Sequence, residues 1–132
     1  MLRKISQAWI GSAIVIACLA FAGCVNIGNS SGDCEVGQTC SCDGIGNCDL
    51  NCPDGNCNMV CSGIGNCFFD CLGGACDVAC EGSGNCFLDC PGGDCDMTCS
   101  GTGNCVLETC TQGCVQDCLN TGNCICSEGC PL

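Results

Sequence analysis

Two hydrophobic regimes follow one another along the chain. An unbroken apolar run extends from about Ala8 to Gly23, and from Cys42 onward apolar and polar positions alternate in short pentads of the form C-x-φ-x-C. Residues i, i+2 and i+4 of a strand share one face, so each pentad turns two cysteines and one apolar side chain to the same side. The central positions are Leu50, Met59, Phe69, Val78, Leu88, Met97 and Leu107, apolar in seven consecutive pentads. Helical spacing would also bring the cysteines of C-x-x-x-C together, but Gly-containing turns of three to five residues separate the pentads and would break a helix each time. The alternation therefore predicts strands.

The pentads are themselves periodic. Cys42, Cys61, Cys80, Cys99 and Cys118 lie nineteen residues apart, as do Cys48, Cys67, Cys86, Cys105 and Cys124. Cys52, Cys71 and Cys90 form a third column, and Cys57, Cys76, Cys95 and Cys114 a fourth. One unit reads C-x-G-x-G-N-C-x-φ-x-C-x-x-G-x-C-x-φ-x, seen without interruption from Cys80 to Thr98. Two strands and two turns per unit describe one coil of a flattened β-solenoid. The expected fold is all-β and disulfide-rich, about five 19-residue coils with two short parallel sheets, stacked at ~4.8 Å into a rod of ~24 Å.

Other columns keep the same period. Asn47, Asn66, Asn85, Asn104 and Asn123 form a ladder whose stacked amides can hydrogen-bond along the rod axis. The pairs Gly44/Gly46, Gly63/Gly65, Gly82/Gly84 and Gly101/Gly103 suit turns that need positive φ. A phosphate-cradling loop is the weaker reading of these glycines, because no long helix or lysine follows them. Between Cys105 and Cys110 the unit carries one extra residue and the next turn is one shorter, which predicts a local bulge.

Composition narrows the function classes. Of 132 residues 24 are cysteine, there is no histidine or tyrosine, and the two basic residues, Arg3 and Lys4, lie at the extreme N-terminus. Phosphate neutralisation needs Lys or Arg, and the usual general-base, oxyanion-clamp and Schiff-base roles need His, Lys or Arg. The chain is therefore expected to bind no nucleic acid, to hold no cofactor and not to be an enzyme.

The basic start, the apolar run and the small residues before Cys24 form an export signal, too short and too one-sidedly flanked for a membrane span. Ala20-Phe21-Ala22 suits ordinary signal peptidase, whereas Phe21-Ala22-Gly23-Cys24 resembles the bacterial lipobox. The lipobox resemblance implies acylation of Cys24 and attachment to a membrane through lipid. It divides the chain into a signal peptide (1–23), an acylated N-terminus with tether and cap (24–41) and a repeat domain (42–132). Val25 to Thr39 reads as a short tether leading into a capping turn at Cys34 and Cys40. Cysteine parity favours the same cut: losing Cys18 and committing Cys24 to lipid leaves an even number of thiols, at most eleven bridges. The mature chain keeps all fourteen carboxylates and no basic side chain, so it repels anionic surfaces and its own copies.

Exported thiols meet an oxidising compartment, and a solenoid with one interior apolar residue per strand lacks the core to offset chain entropy. Bridges across short loops supply ~2–3 kcal/mol each on the loop-entropy model. Cysteines flanking a turn meet at the narrow rims within the ~4.4–6.8 Å Cα range a bridge requires. This favours Cys52–Cys57, Cys71–Cys76 and Cys90–Cys95 at one rim, with Cys61–Cys67, Cys80–Cys86 and Cys99–Cys105 at the other. A metallothionein-like cluster is the alternative. It wants closely spaced ligands, which only Cys40-Ser-Cys42 and Cys124-Ile-Cys126 approach.

Outward columns alternate with the interior ones. Asn51, Asp70, Asp89 and approximately Glu108 form one, and Asn58, Asp77 and Asp96 another, with Asp54 and Asp94 in nearby turns. Stacked carboxylates form either a solvated acidic face or a Ca2+ site drawing ligands from two coils, for which Asp70, Asp77, Asp89, Asp94 and Asp96 are the candidates. Gly92-Gly93-Asp94-Cys95-Asp96 resembles the Gly-rich calcium-binding nonapeptide repeats of secreted bacterial β-rolls. A further outward column, Phe68, Phe87 and Val106, is apolar and reads as cross-coil stacking or as a small docking stripe. Regular threonine ranks, which an ice-binding face would need, are missing from the sequence.

With G-x-G-N-C coils behind a lipobox, residues 24 to 132 resemble repeat-bearing bacterial lipoproteins of unknown function, including cysteine-rich, myxobacterial-type versions. The resemblance implies an envelope location and carries no catalytic residue. The expected role is a rigid acidic rod for structure, adhesion or binding at the cell envelope, its protein or surface partner unspecified, with a secreted form as the alternative location. A divalent-metal-binding β-roll-like module is the alternative function.

Overall fold

The computed structural model describes residues 30–119 and 122–129. The signal segment, the lipobox, Cys18 and Cys24 lie outside the described residues. Eleven strands alternate between two parallel sheets: β1 (Ser30–Asp33), β2 (Thr39–Cys42), β3 (Cys48–Asn51), β4 (Asn58–Cys61), β5 (Cys67–Asp70), β6 (Asp77–Cys80), β7 (Cys86–Cys90), β8 (Asp96–Cys99), β9 (Cys105–Cys110), β10 (Val115–Cys118) and β11 (Cys124–Cys126). Odd-numbered strands form a six-stranded sheet in the order β1-β3-β5-β7-β9-β11, and even-numbered strands a five-stranded sheet, β10-β8-β6-β4-β2. The chain thus crosses from sheet to sheet at every turn and climbs one strand per coil, as the nineteen-residue period requires of a β-solenoid.

Register follows the repeat residue for residue. Leu50 pairs with Phe69, Phe69 with Leu88, and Leu88 with Leu107; on the other sheet Met59 pairs with Val78 and Val78 with Met97. These side chains point between the sheets, where Met59, Leu88 and Leu107 are fully buried and Leu50 half-buried. The buried remainder is almost entirely cysteine. A one-residue slip would turn this whole set outward, so register is strongly specified.

The coil begins earlier than the tether reading allowed. Ser30–Asp33 is taken up as β1, in parallel register with Cys48–Asn51, and β2 starts at Thr39, pairing with β4. Gly32 occupies the Leu50 column there; its lack of a side chain is why neither hydrophobic spacing nor the cysteine period marks this coil. At the far end the Met97 column closes on Gln116, whose amide donates to the Cys105 carbonyl at 3.3 Å and reaches the Met97 sulfur at 3.8 Å. Beyond it Cys126 is disulfide-bonded.

The extra residue at 105–110 is a β-bulge. Register shifts between Leu88 and Asp89, so that Asp89 faces Thr109 while Glu108 is exposed. The expected Asn51–Asp70–Asp89–Glu108 column is corrected accordingly: its fourth member is Thr109, because the bulge displaces Glu108 out of the ladder.

The Gly-x-Gly pairs also need correction. Among Gly44, Gly46, Gly63, Gly65, Gly82, Gly84, Gly101 and Gly103 only Gly46 has positive φ, at 146°. Gly63, Gly65, Gly82, Gly84, Gly101 and Gly103 are required by close approach: a Cβ at Gly65 would overlap the Gly46 carbonyl, one at Gly84 the Gly65 carbonyl, and one at Gly103 the Gly84 carbonyl. Coils at this rim stack backbone on backbone. Left-handed φ is found at the opposite rim, at Gly55, Gly74 and Gly93 (77–80°) and at the residues after them, Asn56, Ala75 and Asp94 (54–57°).

The asparagine ladder locks the glycine rim. Each backbone N–H of Asn66, Asn85, Asn104 and Asn123 donates to the side-chain oxygen of the asparagine one coil earlier, at 3.0–3.3 Å. Direct amide-to-amide bonding is seen between Asn85 and Asn66 at 3.2 Å.

Gly84→Ala is expected to destabilise the oxidised protein by about 1–3 kcal/mol through forced coil separation. Gly32→Ala, whose Cβ meets nothing within 4 Å, is expected to be neutral or stabilising by up to about 1 kcal/mol. Guanidinium denaturation of the two variants checks this, and equal effects would refute the close-approach role.

Candidate binding faces

The sulfur chemistry is consumed in structure. Bridges join Cys52–Cys57, Cys71–Cys76, Cys90–Cys95 and Cys110–Cys114 at one rim, where Cys34–Cys40 closes the first turn. Cys42–Cys48, Cys61–Cys67, Cys80–Cys86, Cys99–Cys105 and Cys118–Cys124 hold the other rim. Cα separations run from 5.9 to 6.5 Å, set by strands that end on opposite sheets one turn apart. Cysteine trios such as Cys61, Cys67 and Cys86 bring their sulfurs within 4.8 Å of one another. Bridged sulfurs offer no thiolate, however, and metal–sulfur chemistry of the metallothionein kind needs the deprotonated thiol. No cysteine among the described residues is free.

What remains available to a partner are the two outward sheet faces. On the five-stranded sheet, Asn58, Asp77, Asp96 and Val115 form one column, and Ser41, Val60, Ala79, Thr98 and Asp117 the other. Between the two columns, where Val60, Ala79 and Thr98 are short, runs a shallow groove of about 450 Å3 that Asp77 and Asp96 also line. Both carboxylates are exposed. Asp94 stands apart in its turn, its carboxylate lying over the Gly113 position. The Ca2+ candidates therefore do not converge: Asp77 and Asp96 share one face, Asp70 and Asp89 the other, and Asp94 a rim.

The six-stranded sheet is less uniform. Its first outward column runs Asp49, Phe68, Phe87, Val106 and Ile125 in direct register. The rings of Phe68 and Phe87 stack with centroids 5.0 Å apart and planes within 8°, a spacing imposed by the coil repeat. The stripe continues through Val106 to Ile125, beyond the three positions expected from the pattern. Ile125 was missed because it lies past the last intact unit, although its Cys124-x-Cys126 context carries the same phase.

The second outward column runs Asp33, Asn51, Asp70, Asp89 and Thr109. The Asn51 amide donates to Asp33 at 3.3 Å. Asp70 and Asp89 have no such relief: one carboxylate oxygen of each is shielded from solvent without a hydrogen-bond partner in the protein. Burial raises the Asp70 pKa above its ordinary value of 3.8, and the negative charges of Asp89 and Asp49 raise it further. Between the two columns lies a cavity of about 230 Å3, lined by the Phe68 and Phe87 rings and by Asp49, Asp70, Asp89 and Glu108.

A carboxyl whose pKa is raised on folding binds its proton more tightly in the native state, so stability is greatest below the unfolded value and falls as pH rises past it. Asp70→Asn is accordingly expected to raise the melting temperature at pH 7 and to flatten its decline between about pH 3 and 7. Melting curves of both proteins across that range test this, and an unchanged pH profile would contradict it.

No family model, curated protein or solved structure matches the chain.

Proposed function

We propose that this is a non-enzymatic exported lipoprotein, a rigid, acidic, disulfide-stapled rod with a structural, adhesive or binding role at the cell envelope. The observation that carries the reading is the bridge at every rim turn, ten among the described residues. A fold so dependent on disulfides belongs to an oxidising, exported compartment. The lipobox-like Phe21-Ala22-Gly23-Cys24 supplies the anchor, since diacylation of Cys24 gives two chains and hence stable membrane attachment. Rigidity suits a spacer or display element, and the lack of His, Tyr and, after Lys4, any basic residue supports a role without acid–base chemistry.

Expressed in a bacterium fed labelled palmitate, the protein is expected to carry label and to fractionate with membranes. Cys24→Ser is expected to carry none and to be soluble. A mature wild-type chain beginning at Gly23 and free of lipid would instead establish the secreted form.

A second reading, a Ca2+-binding β-roll-like module, is favoured by one observation: Asp70 and Asp89 on consecutive coils each keep a shielded oxygen unpaired. A hard cation accepts such oxygens. This reading expects millimolar Ca2+ to raise the melting temperature of the oxidised protein, and Asp70→Asn/Asp89→Asn to abolish the rise. No shift at millimolar Ca2+ would eliminate it.

A further inference from the structure

The two outward faces differ in a way that stabilising the solenoid does not require. Stacking accounts for Phe68 and Phe87, yet the same column stays apolar through Val106 and Ile125, with Phe68 40% and Ile125 49% exposed. At ~4.8 Å per coil these four positions make an apolar line ~14 Å long. The corresponding columns of the five-stranded sheet mix polar and small residues and form no such line.

The line has an electrostatic companion. Two residues along the strands, on the same face, stand Asp70 and Asp89, each with a shielded oxygen unpaired in the protein. After Lys4 the chain has no basic side chain, so a cation for these carboxylates must come from outside. The rings narrow the choice further. Stacked face to face, Phe68 and Phe87 each cover one π-face of the other and present their electropositive edges outward. A cation is therefore not drawn onto the rings but to the carboxylates beside them, while the ring edges take apolar contact.

We propose that the outward face of the six-stranded sheet is a docking surface for a basic amphipathic helix of a partner protein. The helix lays its apolar stripe along Phe68, Phe87, Val106 and Ile125 and places Lys or Arg over Asp70 and Asp89. A helix repeats every 5.4 Å and stays nearly in step with coils spaced ~4.8 Å apart over this distance. The ~6.8 Å two-residue repeat of an extended strand does not. The acidic field of the whole rod steers such a partner, and the apolar line selects among cationic ones. The proposal deepens the binding role given above and does not depend on the lipid anchor.

The test uses the exported, oxidised protein, its bridges checked by non-reducing mass, with EDTA present to remove divalent cations. The probe is a labelled helical peptide of about fourteen Leu and Lys residues, ~21 Å long, titrated at about 150 mM salt, where screening acts beyond about 8 Å. Saturable binding is expected, weakened about tenfold or more by Phe68→Ser/Phe87→Ser and likewise by Asp70→Asn/Asp89→Asn. Asp77→Asn/Asp96→Asn, which removes the same charge from the opposite face, is expected to change it by less than about twofold. The carboxamide pair keeps the test decisive if the serine pair misfolds.

No binding would overturn the proposal. So would equal weakening by the two carboxamide pairs, or an oligolysine of equal charge binding as tightly, since either makes the attraction that of net charge alone. These failures remove the docking face and leave the anchored-rod reading standing. That reading fails separately, on loss of the palmitate label.

Discussion

Between the sheets each strand from β3 to β10 contributes a single central side chain, flanked by cysteines, and this thinness is the constraint from which the rest of the structure follows. A layer so shallow cannot remove enough apolar surface from water to offset the entropy of ordering the chain. Covalent closure of each rim turn reduces that entropy in the unfolded state. It also fills the remaining interior with sulfur, so that Cys52, Cys71, Cys90 and their partners are as buried as Met59 or Leu88. Cysteine is here both staple and core residue.

Bridging two short strands across a turn also dictates how coils meet. With the rims drawn in, successive backbones approach until a Cβ at Gly63, Gly82 or Gly101 would overlap the carbonyl one coil away. The asparagine three positions on then has its backbone N–H within reach of the side-chain oxygen of the asparagine one coil earlier. Glycine, asparagine and cysteine thus form one mechanism, and the G-x-G-N-C spacing is its written form. Interior, turn and ladder are all committed to holding the rod, which leaves functional chemistry to the two outward columns on each sheet.

Those columns inherit the period whether or not the period suits them. A coil repeat that places Leu88 over Phe69 also places Asp89 over Asp70, and like charges in register are unfavourable. The Asn51–Asp33 pair relieves the lower end of that column, and the bulge at Glu108 breaks its upper end. Asp70 and Asp89 remain, adjacent and partly shielded, beside the apolar stripe of Phe68, Phe87, Val106 and Ile125. An unrelieved carboxylate pair in a molecule stabilised by covalent bonds is a cost the fold can sustain, and it gives one face a chemistry that the other lacks.

The nineteen-residue period and the C-x-φ-x-C alternation were sufficient for fold class, sheet number, register and interior, because in a solenoid each contact repeats a local sequence relation. The apolar and acidic columns were legible for the same reason. What depended on three dimensions was whatever breaks the repeat or spans coils without a side chain to mark it. Gly32 in β1 leaves no hydrophobic trace of the first coil, and Thr109 replaces Glu108 only because the bulge resolves on one side of Leu107. Likewise the glycines of G-x-G look like turn formers in a string of letters. Their need is set by a neighbouring backbone nineteen residues away, a distance through space that the sequence by itself does not record.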